Sequence, residues 1–259
     1  MLALLICGLL QGANAGHSDV TLVSKFSAYE PESPFTVALR FKIEPGWHIY
    51  WRNPGDSGQE PRVKWSLPPN WRVDEIRWPA PKVLSEAGIT TFVYEKEVFL
   101  LATIHPRGRQ SIAKLGAEVS WLVCSDVCLP ESKSLAVSIP SAKQSVLGPA
   151  APAIDQVGQM LPRRGTERGV ASVKSHGIEL AIDGLRRGNY RFFPYETNIV
   201  GNEETQTGTW KGDRFVLKLK QSDYFDSKAR RLKGILVRIQ DSSTEGERPI
   251  EIDVPLLKS

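Results

Sequence analysis

Long apolar runs are scarce in this chain. After the first fifteen residues no stretch reaches the roughly eighteen consecutive apolar residues of a membrane-spanning helix. Cysteine is scarce too: 259 residues hold 3 Cys, 4 His and 2 Met. Two neighbouring cysteines with no histidine nearby give a zinc site too few ligands, so no metal is expected. There is no glycine-rich phosphate loop, no carboxylate pair at a recognisable catalytic spacing and no hydrolase signature. No cofactor is therefore expected. Charge of one sign is not concentrated either. The net charge is +4. The basic pairs Arg163-Arg164, Arg186-Arg187 and Arg230-Arg231 are scattered among acids, as on solvated faces. That argues against a phosphate-tracking stripe and hence against a nucleic-acid partner. No long helical period and no repeat of solenoid length is present.

What is there begins at the amino terminus. Met1 to Ala15 carry no charged side chain, and Leu2 to Leu10 form an apolar run of signal-peptide length. Ala13-Asn14-Ala15 supplies small residues at the −3 and −1 positions of a cleavage site. Residues 1–15 are expected to be a signal peptide cut before Gly16, and Cys7 to be lost with it. The n-region lacks Lys and Arg, which a start codon placed too late would explain. The mature chain is then exported to oxidising surroundings. Its two cysteines should be paired, with each other or with a partner.

From Gly16 to Pro140 the pattern is strand-like. Phe35 to Ile43 alternates apolar and polar residues from Val37 on; Val98 to Ile104 is a continuous β-prone run; Ala117 to Val123 and Leu135 to Ile139 behave alike. Turn signals lie between them: Glu44-Pro45-Gly46, Asn53-Pro54-Gly55-Asp56, Pro68-Pro69-Asn70, Pro79-Ala80-Pro81 and Pro106-Arg107-Gly108. Short strands at this spacing predict an antiparallel sandwich. Six of the 7 Trp fall in this half, as a tryptophan-rich core requires. Ser141 to Pro162 is richer in Ala, Gly and Pro and contains a short helical stretch over Ile154 to Leu161. It is expected to connect two domains. Strand patterns return at Ile178 to Ile182, Val216 to Lys220, Ile235 to Ile239 and Ile250 to Val254, with a hairpin turn within Trp210 to Phe215. The expected organisation is all-β: two immunoglobulin-like antiparallel sandwiches, 16–140 and 163–259, joined by a short, partly helical linker, 141–162.

The segment with chemistry is Trp121-Leu122-Val123-Cys124-Ser125-Asp126-Val127-Cys128-Leu129-Pro130. In an extended strand the two cysteine Cα atoms would lie about 13 Å apart, beyond disulfide reach. Pairing demands that the chain fold back over Ser125-Asp126-Val127. A ring this small gains little loop-closure entropy, so it is a poor staple and an easy bond to open. A structural disulfide stays open as an alternative at this point, and metal binding as a weaker one. Asp126 between the sulfurs disfavours a strongly acidic thiol.

Gly46-Trp47-His48-Ile49-Tyr50-Trp51-Arg52-Asn53-Pro54-Gly55-Asp56-Ser57-Gly58, Trp78-Pro79-Ala80-Pro81, Tyr94-Glu95-Lys96-Glu97-Val98 and the cysteine segment, in that order, resemble the N-terminal periplasmic region of the DsbD and ScsB thiol:disulfide interchange proteins. The resemblance spans most of Val20 to Pro140, and the later half resembles the extra sandwich of ScsB-like members. It implies an immunoglobulin-like first domain whose cysteine pair, Cys124 and Cys128 by position, takes electrons from a membrane-embedded partner. They pass to periplasmic thioredoxin-like proteins or disulfide isomerases, including those serving cytochrome c maturation and copper tolerance. It places His48, Tyr50, Trp121 and Asp126 near the pair. Leu84, Ser85, Glu86, Ala87 and Gly88 fall where the family has a cap loop. Family members usually continue into a membrane domain and a thioredoxin-like domain; this sequence stops at Ser259, so the electron donor is expected to be a separate chain. The competing expectation is a non-redox envelope binding or assembly protein with a structural disulfide.

Overall fold

The computed structural model describes residues 16–202, 206–239 and 247–258. The expected leader and Cys7 lie outside them. Among the described residues no helix is long and apolar enough to cross a membrane. The first half contains β1 (Ser18–Ser24), β2 (Phe26–Ala28), β3 (Phe35–Ile43), β4 (His48–Gly55), β5 (Arg62–Ser66), β6 (Arg72–Val73), β7 (Lys82–Glu86), β8 (Ile89–Glu95), β9 (Glu97–His105), β10 (Ile112–Cys124) and β11 (Cys128–Pro140). They make two facing sheets. One has the order β1-β3-β9-β6; the other runs β11-β10-β4-β8-β7, with β5 also on β10. The alternation read from Phe35 to Ile43 is the reason β3 seats where it does: Val37, Leu39 and Phe41 enter the core between the sheets. Trp51, Trp71 and Trp121 are buried in that core, and Trp47, Trp65 and Trp78 pack against it.

One turn signal was not a turn. Asn53-Pro54-Gly55 lies inside β4, where the register against β8 slips between Tyr50, opposite Val93, and Gly55, opposite Thr91. The extra residues form a bulge, with Trp51 and Asn53 buried. Pro54 has no N–H to give the ladder, and Gly55 takes φ +89 with the Thr90 carbonyl where a Cβ would stand.

The connector is less free than its composition suggests. β12 (Val146–Leu147) pairs with β2, and α1 (Ala151–Met160) lays Ile154 against Ala38, Phe99 and Leu101 on the outer face of the first sheet. The helix starts three residues before the expected Ile154, because Pro152 suits a first turn whose N–H groups have no intrahelical partner.

The second half contains β13 (Arg163–Arg164), β14 (Arg168–Lys174), β15 (Gly177–Asp183), β16 (Asn189–Pro194), β17 (Thr207–Lys211), β18 (Arg214–Leu219), β19 (Arg231–Ile239) and β20 (Ile250–Lys258). Its order is β16-β19-β20-β14-β15-β18-β17, with β13 also on β20. β20 is shared between two sheets: up to Pro255 it pairs with β19, and from Leu256 with β14. Such a switching strand makes the corner of a sandwich. The second sandwich is mostly antiparallel, as expected, with β20 running parallel to β13 and β14. Its inward residues Ile252, Val254 and Leu256 join Leu180, Phe192, Phe215 and Leu217 in a second core.

Candidate functional site: a disulfide on the outer face of a sheet

Cys124 ends β10 and Cys128 begins β11, and they stand opposite each other as the last pair of that antiparallel ladder. The chain reverses over Ser125-Asp126-Val127, where the Ser125 N–H donates to the Val127 carbonyl at 3.0 Å. The two sulfurs are bonded, with Cα atoms 4.2 Å apart. The fold-back required by their spacing is therefore met by a three-residue hairpin loop.

The two cysteines differ sharply in access. Cys124 is 1% exposed, whereas Cys128 is exposed. Strand position explains this. β10 has a neighbour on each side, and Cys124 faces His48 across the β10–β4 pairing. β11 is the edge strand of its sheet, so among the described residues no strand pairs with Cys128 on the side away from β10. Cys124 packs with Tyr50 and Val93, and Leu84 and Leu122 cover that cluster. It is a small apolar patch on the outer face of the sheet, opposite the main core.

Polar groups border the patch. The Tyr50 hydroxyl lies 3.7 Å from the Cys128 sulfur and 3.4 Å from Nε2 of His48. Burial holds the Tyr50 phenol above its ordinary pKa, so it stays protonated. Burial holds His48 below its ordinary pKa, opposed by the carboxylates of Glu95 and Glu86. Glu95 in turn accepts from Lys82 Nζ at 2.7 Å, and that bond lowers its pKa. Gly58 closes the other side of Tyr50: a Cβ there would meet the phenol ring at 2.2 Å, at a φ of +97.

His48 and Tyr50 are thus beside the pair. Asp126 sits exposed in the hairpin loop. Trp121 is not beside the pair. It lies an odd number of residues before Cys124 and so points to the opposite face, where its ring meets Phe41 edge-on at 5.3 Å and its Nε1 donates to Ser18. The stretch Leu84 to Gly88 is a hairpin rather than a loop. β7 and β8 pair up to Glu86 and Ile89, and Ala87 and Gly88 turn between them with φ of 50 and 82. Of these residues, Leu84 covers the cluster and Glu86 acts on His48, while Ser85 bonds to Thr90 across its own hairpin. Sequence reasoning missed Val93, Leu122, Glu95 and Lys82. Parity from Cys124 would have found Leu122; the others depend on a register that no local pattern fixes.

Among the described residues no three of His, Cys, Asp and Glu converge to hold a metal ion. The chemistry available is that of the two sulfurs.

Residues 19–139 match the family model described as Thiol:disulfide interchange protein DsbD, N-terminal. That DsbD-type segment contains every residue of the site. Among solved structures, the N-terminal periplasmic domain of ScsB from Proteus mirabilis superposes with a TM-score of 0.65 at 19% identity, covering 95% of this chain and 96% of that one. The two-sandwich architecture is therefore shared over almost the whole length. The reduced N-terminal domain of DsbD from Neisseria meningitidis aligns at 15% identity over 47% of this chain and 86% of that one, with a TM-score of 0.29. No curated protein matches the sequence.

Proposed function

We propose that this chain is an exported, periplasmic thiol:disulfide interchange module that relays two electrons through Cys124 and Cys128. The donor is a membrane-embedded DsbD/ScsB-like partner, and the acceptors are periplasmic thioredoxin-like or disulfide isomerase proteins. Residues 1–15 are its leader, 16–140 its redox sandwich, 141–162 its connector and 163–259 its second sandwich. One observation carries the reading: a short-loop disulfide with one sulfur open to solvent and the other sheltered, within a segment matching the DsbD N-terminal family.

The difference in access supports an order of steps. In the reduced module the exposed Cys128 thiolate attacks one sulfur of the acceptor disulfide, and the other acceptor sulfur leaves as a thiolate. A mixed disulfide now joins the two proteins. The sheltered Cys124, deprotonated in turn, attacks the Cys128 sulfur. This reforms the internal bond and frees the acceptor as a dithiol. The donor's dithiol reduces the module by the same two exchanges in reverse. Tyr50, kept protonated, can turn its O–H from His48 to the Cys128 thiolate and stabilise it. The small patch over Cys124 keeps foreign thiols from the resolving sulfur.

Cys124→Ser leaves the attacking sulfur without its resolver. Expressed with export, that variant should accumulate a mixed disulfide with a periplasmic protein, and Cys128→Ser should accumulate far less. Absence of an adduct from both variants, with a reduction potential below about −300 mV, assigns the bond a structural role and leaves the binding or assembly reading.

A further inference from the structure

We propose that cleavage before Gly16 creates an α-ammonium group that the Glu131 carboxylate holds, so that the mature amino terminus clamps the cysteine-bearing hairpin. The inference rests on the export reading above and goes beyond it. Glu131 lies on β11, three residues after Cys128, and is half-buried. Its carboxylate grips the first described residues. Oε1 accepts from the His17 N–H at 2.8 Å and Oε2 from the Ser18 hydroxyl at 2.6 Å. Trp121 of β10 donates to the same Ser18 oxygen at 2.7 Å. His17 is fixed from its other side, with its ring stacked on Trp47 at 3.6 Å and Nδ1 at 2.8 Å from Glu44.

Gly16 is pressed against this carboxylate. A Cβ on it would stand 2.4 Å from Oε1. Its α-carbon is therefore within about 4 Å of that oxygen, which leaves the α-nitrogen, at about 1.5 Å further at most, in reach of a small shift of the Glu131 side chain.

Charge gives a second, independent argument. The neighbouring acids have basic partners: Asp19 takes Lys133 at 2.5 Å, and Glu44 takes His17. Among the described residues Glu131 has none, and accepts only from neutral donors. In the precursor the Gly16 nitrogen is a neutral amide. After cleavage it is a cation with three donors beside an uncompensated, half-buried carboxylate. Charge-assisted bonds of this kind are about twice as strong as neutral ones. Processing would thus tie the start of β1 to β11, and through Ser18 to β10, across the open edge of the sandwich.

The test uses the exported, purified, oxidised full-length chain. Intact mass and terminal sequencing should give Gly16 as the first residue. The α-amine should titrate above the ordinary range of about 7.7–8.0. A group whose folded pKa is raised contributes stability below its unfolded pKa and loses it as pH rises through the folded one. Selective acetylation of the α-amine should therefore lower the melting temperature by several degrees at pH 7, with the difference vanishing by about pH 10. In Glu131→Gln acetylation should change nothing further. An uncleaved chain overturns this inference and the export reading together. Cleavage elsewhere overturns the inference alone. So does cleavage at Gly16 with an amine that titrates normally and whose acetylation leaves the melting temperature unmoved; that readout needs no variant to fold.

Discussion

At the residue scale the two sulfurs are set apart by their strands. Both lie at the same level of one hairpin, yet Cys124 is sealed and Cys128 is open, because one strand is internal and the other is an edge. His48 adds a pH dependence. Its folded pKa is depressed, chiefly by burial. The unfolded chain thus binds this proton more readily than the native one, and the stabilisation present above about pH 6.5 is lost as pH falls through that value toward the folded pKa. The groups facing it temper the loss: Glu95 directly across the ladder, with its Lys82 partner, and Glu86 at the hairpin tip. His48→Asn should flatten the fall in unfolding free energy between about pH 6.5 and 5, read by urea titration, while leaving its value at pH 8 within about 1 kcal/mol of wild type. An unchanged slope would show that the imidazole is not the group titrating.

At the element scale the β7–β8 hairpin is one wall of the site. It reaches the patch with Leu84 of β7 and Val93 of β8, and is pinned near its tip by Asp56, whose Oδ2 accepts from the Thr90 N–H at 2.8 Å. Tyr94 secures the next layer by donating to the Pro79 carbonyl at 2.6 Å, which gives the Pro79-Ala80-Pro81 segment a structural reason. Thiol reactivity depends on access as well as on thiolate fraction. In the reduced protein Cys128 should alkylate much faster than Cys124. Leu84→Ser should raise the Cys124 rate by about an order of magnitude with little effect on Cys128. Mass-resolved labelling with iodoacetamide reads both rates at once. Equal rates at the two cysteines in the wild type would remove the shelter assigned to the patch.

At the scale of the whole molecule the two sandwiches share a core. Phe193 and Ile235 of the second half are buried with the first core. Phe193 meets Trp51 at 6.0 Å and Phe92 at 5.2 Å, both edge-on, and Tyr195 lies 5.8 Å from Trp51. The β4 bulge makes the polar part of the join: the fully buried Asn53 amide donates to the Pro194 carbonyl at 2.9 Å, and its oxygen accepts from the Gly55 N–H. Asn202 reaches the same Asp56 that pins the hairpin, at 3.0 Å. Trp51 and Phe92 are the chain neighbours of Tyr50 and Val93, so one pair of strands serves the interface on its inner face and the disulfide on its outer face. Phe193→Ala should cost about 3–5 kcal/mol, and both sandwiches should still unfold in a single transition by tryptophan fluorescence and circular dichroism. Two separate transitions, with the first sandwich as stable as before, would mean the halves are not coupled.

The sequence by itself determined the strand set and the chemistry. Alternation at β3, β15 and β20, the turn within Trp210 to Phe215 and the short cysteine spacing are local signals, because side-chain period and loop reach act within a few residues. Only the tertiary structure decided which cysteine is open, that Trp121 turns to the core, that Asn53-Pro54-Gly55 is a bulge docked on the second half, and that β20 runs parallel to β14 but antiparallel to β19. Each of these depends on which strand lies beside which and in what register, and that is settled by burial of faces distant in the chain.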